Sequence, residues 1–158
     1  MRQIKCRGWS PDLKRWVYGA YYEHCNCAVC FSDDDKPEYH ESKIVFEQIM
    51  DWNFPYKTMV ADVIRESVGE FACKSKGGNE FYEGDIVSYM FNGEEIRGVI
   101  KFGMYEQFNV GFYVEWCDGY SLMRQDLGYW EKKDIRVIGN TYETPELLQE
   151  VKDGKTEE

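Results

Sequence analysis

The sequence predicts a mainly β fold from three observations. Side chains at residues 86–91 alternate between two faces, and Asn92-Gly93 follows, a pair typical of tight hairpin turns. A second alternating segment covers residues 112–116. Aromatic residues make up 16% of the 158 residues, a share that suits half-buried sheet faces. Strands therefore dominate, and we expect one or two short helices beside them.

The most informative stretch is the hairpin at residues 82–102. Gly84 can adopt a positive φ, and Asp85 can bond back to nearby backbone amides. The return strand is expected at 95–102, where Gly98 marks a bulge or a close approach of two backbones. The same pattern occurs in small SH3-like barrels, so we interpret this hairpin as an SH3-like core.

The elements before this hairpin are predicted from turn residues and periodicity. Residues 2–22 predict a first hairpin that turns at Ser10-Pro11-Asp12. Apolar residues recur at helical spacing over 42–52, which predicts a helix. Residues 57–64 predict a strand, with a second helix as the alternative. A turn at Gly77-Gly78 follows.

After the alternating segment at 112–116, the remaining elements are short. Asp118-Gly119 predicts a turn, and Trp130 with residues 135–138 predicts one or two last strands. Thr144-Pro145-Glu146 predicts a short helix, with the threonine as N-cap and the proline at the first helical position. The charged tail at 151–158 is expected to fray.

Length and composition bound the organisation and setting of the chain. A chain of 158 residues fits one compact domain, placed at 1–150, in which 20–65 form a variable N-terminal elaboration. We find no long apolar run and no basic signal peptide, so we expect no membrane span, a cytoplasmic location and reduced cysteines. The net charge of −10 disfavours a protein that coats DNA or RNA. Its simplest interpretation is solubility, and the alternative is an acidic surface that binds a basic partner.

The sharpest chemical candidate is a cluster of thiols at residues 24–30. The candidate zinc ligands are Cys25, Cys27, Cys30 and His24. Structural zinc sites usually have two ligand pairs a dozen or more residues apart, and the cluster supplies one. Completion in space would need another donor: Cys73, His40 or Cys6. Unliganded thiols are the simplest interpretation, and a thioredoxin-like role is disfavoured because a βαβ setting is missing.

Carboxylates offer a second candidate chemistry. Glu83 and Asp85 can converge because they lie two positions apart, although carboxylates in turns more often bond backbone amides. Residues 33–35, three aspartates, fit a solvated loop and lack the calcium-loop pattern. The sequence contains no phosphate-binding glycine loop, no Gly-x-Ser-x-Gly and no His-Glu-x-x-His, so it predicts no catalytic residues and no enzyme.

Several short segments together carry a resemblance to a known family. They are residues 1–9, 68–71, 81–87, 98–102, 124–127 and 137–148. With these segments the chain resembles the YopX family, small proteins encoded by temperate phages and prophages of Gram-positive bacteria. Family members usually carry Thr-Gly where Ala72-Cys73 stands, so the turn there is expected to differ. The resemblance implies a mostly β fold with barrel and sandwich features, a phage gene and no assigned activity.

The sequence therefore predicts a non-enzymatic phage accessory protein in the cytoplasm of a bacterial host cell. We expect it to act through protein–protein contacts, with itself or with a host or phage protein, without a membrane partner or cofactor. One alternative is a nucleic-acid-binding module on the SH3-like barrel, because Arg97, Lys101 and Lys132-Lys133 interleave with aromatics that can stack bases. The other alternative is a small zinc-binding protein that uses the cluster at 24–30.

Overall fold

A computed structural model describes residues 4–27, 36–49, 56–117, 125–133 and 135–148. Within these residues the chain forms ten strands and one short α-helix, which confirms the mainly β prediction. The strands are β1 (Cys6–Ser10), β2 (Arg15–Cys25), β3 (His40–Gln48), β4 (Lys57–Asp62), β5 (Gly69–Lys74), β6 (Glu80–Tyr82), β7 (Asp85–Phe91), β8 (Glu94–Tyr105), β9 (Asn109–Trp116) and β10 (Arg136–Asn140). The helix is α1 (Leu127–Glu131), and 3₁₀ turns occur at Pro37–Tyr39, Arg65–Ser67 and Pro145–Leu148.

The chain divides after Glu70 into two compact units. In the first unit the strands are antiparallel in the order β4-β3-β2-β1, and β1 also pairs with the first residues of β5. The predicted first hairpin is confirmed as β1 and β2, which pair from Cys6↔Gly19 to Ser10↔Arg15. The core of this unit is small: Val17, Ile44, Ala61 and Val63, with Tyr21, Phe46 and Val68 packed against them.

The helix predicted over 42–52 is wrong where the structure describes the chain, because β3 runs through His40–Gln48. Ser42 and Ile44 are buried on one side of the strand, and Lys43 between them faces the other side. Both edges of β3 are hydrogen-bonded, to β2 and to β4, so the backbone is satisfied as a central strand. The strand predicted at 57–64 is confirmed as β4. Residues 50–55 lie outside the described part.

The central hairpin in the second unit is confirmed in detail. β7 and β8 pair from Phe91↔Glu94 to Ile86↔Val99, and Asn92 (φ 50°) and Gly93 (φ 90°) form the predicted left-handed turn. The order of this sheet is β10-β7-β8-β9. β5 and β6 precede this sheet in the sequence and form a short antiparallel pair, joined by the predicted turn at Gly77-Gly78.

The second unit holds the larger core. Its buried members are Phe81, Val87, Ile96, Ile100, Val114, Trp116, Leu127, Trp130 and Ile135. The strand predicted at Trp130 is wrong: this residue lies in α1, where its ring meets the Trp116 ring edge-on at 4.8 Å between centroids. Asp126 begins the helix, since its Oδ1 accepts a hydrogen bond from the Tyr129 N–H at 3.0 Å. The strand predicted at 135–138 is confirmed as β10.

The last predicted helix forms as the 3₁₀ turn at Pro145–Leu148. The Thr144 hydroxyl exchanges hydrogen bonds of 3.1 Å with the backbone N–H and C=O of Asn140, and its role as N-cap stays a prediction. The predicted turn at 118–119, the acidic loop at 33–35 and the tail at 151–158 lie outside the described residues. A single domain over 1–150 and an SH3-like barrel or sandwich stay predictions. Among the residues described, no helix is long and apolar enough to cross a membrane.

Candidate protein interface on the β8–β9 arm

β8 is longer than the strand that precedes it, and the difference creates a projecting arm. β7 covers β8 as far as Val99, whereas β9 continues alongside β8 until Tyr105↔Asn109. Residues 100–105 and 109–114 therefore form a two-stranded ribbon beyond the pairing with β7. We call residues 100–114 the arm.

One side of the arm continues the core face of the sheet into solvent. Ile100 and Val114 face each other and are fully buried. The next two cross-strand pairs on the same face are Phe102↔Phe112 and Met104↔Val110. Exposure rises outward, from 50% for Phe102 to 69% for Met104 and 67% for Val110, and it reaches 88% for Phe108 at the tip. The arm face is defined as Phe102, Met104, Phe108, Val110 and Phe112.

On the opposite side of the arm, the side chains contact one another. The Tyr105 and Tyr113 rings stack with 5.5 Å between centroids. Lys101 forms an ion pair with Glu115, and the hydrogen bond that it donates raises the pKa of Lys101. The two sides thus differ chemically: one side has paired polar and aromatic groups, and the other presents apolar surface to water.

The tip of the arm has a fixed and unusual backbone. Glu106 (φ 48°) and Gln107 (φ 70°) both adopt the left-handed conformation, and the Phe108 N–H donates to the Glu106 C=O at 2.9 Å. The Glu106 carboxylate accepts hydrogen bonds from the Gln125 N–H at 3.2 Å and the Asn109 side chain at 3.4 Å. These contacts hold Phe108 at the outer end of the arm.

The predicted pair Glu83 and Asp85 serves the backbone near the base of the arm. Asp85 is buried, and its Oδ2 accepts the Tyr82 N–H at 2.8 Å. Glu83 Oε1 accepts the Phe102 N–H at 3.4 Å. Asp85 therefore orders local backbone, as turn carboxylates commonly do, and Glu83 binds the backbone of β8.

The predicted thiol cluster is only partly within the described chain. Cys25 ends β2 and Cys27 follows it, both are exposed, and the Cys25 thiol donates to the Cys27 C=O at 3.1 Å. Cys30 lies outside the described residues. His24 precedes Cys25 in the strand, so its side chain points to the other face of the sheet. In the part of the chain that is described, no group of three or more His, Cys, Asp and Glu residues could hold a metal ion.

The three residues expected to complete a zinc site are buried or lie beside carboxylates. His40 pairs with Cys25 across β2 and β3, and its Nδ1 lies 3.7 Å from Glu23. Cys6 is buried in β1. Burial, and then the charge of Glu131, raise the pKa of the Cys73 thiol to about 11, so this thiol is a poor thiolate donor at neutral pH. The zinc hypothesis stays a prediction.

Three of the four predicted basic residues, Arg97, Lys101 and Lys133, make intramolecular contacts. Arg97 donates to the Leu147 C=O at 2.9 Å and also binds Glu95 at 3.2 Å. Lys133 lies over the Tyr129 ring at 5.4 Å. In the first unit, similar cation–ring pairs join Lys5 to Tyr18 and Arg7 to Trp16.

The first unit also contains a polar cavity of about 470 Å³. Its lining includes Glu41, Asp62 and Arg65, and each is already ion-paired. Lys43 Nζ contacts Asp62 at 2.5 Å and Glu41 at 2.7 Å. These hydrogen bonds raise the pKa of Lys43, and the bond from Lys43 lowers the pKa of Glu41. The groups compensate one another, which argues for a structural role.

A comparison with family models identifies the chain. The model described as YopX protein matches residues 5–149. The chain belongs to the YopX family. The match includes the entire arm of this YopX protein, so the arm is part of the family region and not an appended segment. No curated protein matches the chain significantly.

The strands predicted at 95–102 and 112–116 reach only the inner part of the arm, and the exposed face of the arm was not predicted. Alternation along the strand predicted at 95–102 places Phe102 on the same face as Ile96 and Ile100, and that face is buried at Ile100 but open at Phe102. The available signal was the continuation of apolar residues past Phe102, at Met104, Phe108 and Val110. The length of β8 relative to β7 decides which of these residues are covered, and this difference comes from long-range pairing.

Proposed function

We propose that this YopX protein is a non-enzymatic binding protein that uses the arm face for protein–protein contact. The carrying observation is an apolar sheet face that extends beyond its own core, with Phe108 exposed by 88% at its tip. Contiguous exposed apolar surface with aromatic side chains is typical of protein interaction sites. Single exposed apolar residues are common, whereas four of the five residues of the arm face are at least half exposed on one ribbon.

We place this activity in the setting that the YopX resemblance implies. The protein would be a phage or prophage accessory protein in the cytoplasm of a bacterial host cell. The resemblance supports this setting. A role without catalysis is supported by the hydrogen bonds that Glu83 and Asp85 accept from backbone N–H groups. The partner in this proposed contact is either another copy of the chain or a different protein.

Photocrosslinking from the tip tests the contact directly. Phe108 is replaced by benzoylphenylalanine in Gram-positive cells that produce the protein, and the matched control carries the same residue at Tyr56, an aromatic of the first unit with 65% exposure. We expect irradiation to yield a protein adduct from position 108 that is absent from position 56. In the double variant Met104→Ser/Val110→Ser, the adduct from position 108 should be lost.

Two outcomes would overturn the proposal. One is the absence of any protein adduct at position 108 under conditions where the probe reacts with added unfolded protein. The other is an adduct that forms equally in the double variant, since contact would then not depend on the apolar face. Thermal unfolding of the double variant shows whether its fold is intact.

A further inference from the structure

We infer that the occupant of the arm face is an extended segment of a different protein, with apolar residues flanked by lysine or arginine, which adds as a strand to the open edge of β8. This inference rests on the proposed function and specifies its partner. It depends on three features of the arm: an edge with unpaired backbone groups, an apolar face beside that edge, and an acidic rim.

The open edge follows from the direction of the backbone groups in β8. The Ile100 C=O accepts the Gly84 N–H at 2.9 Å on the side away from β9, and the Phe102 N–H meets Glu83 on that same side. Because N–H and C=O directions repeat every two residues in an antiparallel strand, both groups of Met104 point to this edge. Among the described residues, no hydrogen-bond partner is found for the Met104 N–H or C=O.

The edge and the apolar face together fit strand addition. Main-chain hydrogen bonds at Met104 would align the incoming segment, and alternate side chains of that segment would pack beside Phe102 and Met104. The contact at the Phe102 N–H is a long one, 3.4 Å from Glu83, so an incoming C=O can replace that carboxylate. A helix lying on the face would leave the edge groups of Met104 without protein partners.

Charge decides between a second copy and a different protein. The charged groups on the arm and beside its edge are Lys101, Glu115, Glu106 and Glu83, and Lys101 is already paired with Glu115. This leaves two carboxylates as the acidic rim: Glu83 beside the open edge of β8, and Glu106 at the tip, where the Gln125 N–H and the Asn109 side chain hold it. The whole chain has a net charge of −10. A second copy would bring the same acidic rim and the same net charge, which opposes association, whereas lysine or arginine beside an apolar strand would be complementary.

Peptide selection tests this class of partner. A displayed library of random peptides of about 12 residues, long enough for one added strand, is selected on the full chain. We expect the recovered peptides to alternate apolar residues with lysine or arginine. Their affinity should fall several-fold when salt rises from about 50 to about 300 mM, and also in Glu83→Gln/Glu106→Gln.

Substitution of Met104 separates edge pairing from simple apolar contact. Met104→Pro removes the edge N–H, and proline is tolerated on edge strands, so we expect binding of the selected peptide to weaken by about tenfold or more. Met104→Leu keeps the N–H and the apolar surface, and it should bind as the unchanged chain does. In the unchanged chain, the peptide should also slow hydrogen exchange of the Met104 amide, a readout that does not depend on the folding of the proline variant.

The inference fails if selected peptides are acidic or uncharged, if no binder is recovered, or if the Met104 amide is not protected by the peptide. A protein adduct from position 108 combined with any of these results would leave the arm face as a contact site and remove the basic strand as its partner. An adduct with the mass of two copies of the chain would assign the face to self-association instead.

Discussion

Gly98 shows how one residue sets the packing of two strands. It lies in β8 opposite Trp116, and a Cβ at this position would sit 2.7 Å from the Val114 side chain and 2.8 Å from the Glu115 C=O. Neighbours from β9 therefore occupy the space that a side chain would need. The register around Gly98 is regular on both sides, so the residue marks a close approach and not a bulge.

Substitution of Gly98 by alanine should lower the free energy of unfolding by about 1–3 kcal/mol, because one neighbouring strand must shift to accept the methyl group. Urea unfolding followed by tryptophan fluorescence measures this change. Gly77→Ala is the matched control: its nearest neighbour to an added Cβ is the Ser75 hydroxyl at 3.7 Å, and we expect little change there. Equal stability of the two variants would contradict the inference that β9 leaves no space for a side chain at Gly98.

Residue-level predictions succeeded where the cause was local. The Asn92-Gly93 turn and the bond from the Tyr82 amide to Asp85 depend on residues within a few positions, and both are observed. For Gly98 the sequence left a bulge and a close approach as alternatives. The neighbours that decide between them are in β9, and their register with β8 cannot be read from the glycine itself.

Among the elements, β3 shows why periodicity misled. Val45 and Ile49 are four positions apart, a spacing that shares a face in a helix and also in a strand. The β-branched residues Ile44 and Val45 favour a strand, and pairing with β2 and β4 on both edges stabilises it. The opposite error occurred at Trp130, because α1 has only five residues and is too short for a clear helical period.

The tip of the arm provides an element-scale prediction. Gln107 has a φ of 70°, which costs a residue with a side chain more than it costs glycine. Gln107→Gly should therefore raise the free energy of unfolding by about 0.5–1 kcal/mol, after allowance for the greater freedom of glycine in the unfolded chain. Chemical denaturation measures the difference.

Gln48→Gly provides the matched control for this prediction. Gln48 lies in β3, where the same exchange adds flexibility without relieving a left-handed conformation, so it should destabilise. If Gln107→Gly lowered stability as Gln48→Gly is expected to, the left-handed tip would not be strained. A stabilised tip should still bind the selected peptide, because Met104 and Phe102 are unchanged.

On the scale of the whole molecule, the balance of charge was available from the sequence, whereas its arrangement was not. The net charge is −10, and several described cations contact carboxylates, carbonyl groups or rings, as at Lys43, Arg97 and Lys101. The division into two compact units after Glu70 also had no sequence signal, because β5 runs across it without a linker. Both features result from long-range contacts.

The same distribution predicts weak affinity for nucleic acid. Most non-specific affinity comes from neutralised phosphates, so we expect a dissociation constant above about 100 µM for a labelled single strand of about 20 nucleotides at about 150 mM salt. Fluorescence anisotropy measures it. The first unit provides the sharpest challenge, since Lys5 and Arg7 lie on one sheet face with Trp16 and Tyr18. Tighter binding that disappears in Lys5→Ser/Arg7→Ser would show that this face of the first unit binds nucleic acid. Protein contact at the arm face would then not be the protein's only activity.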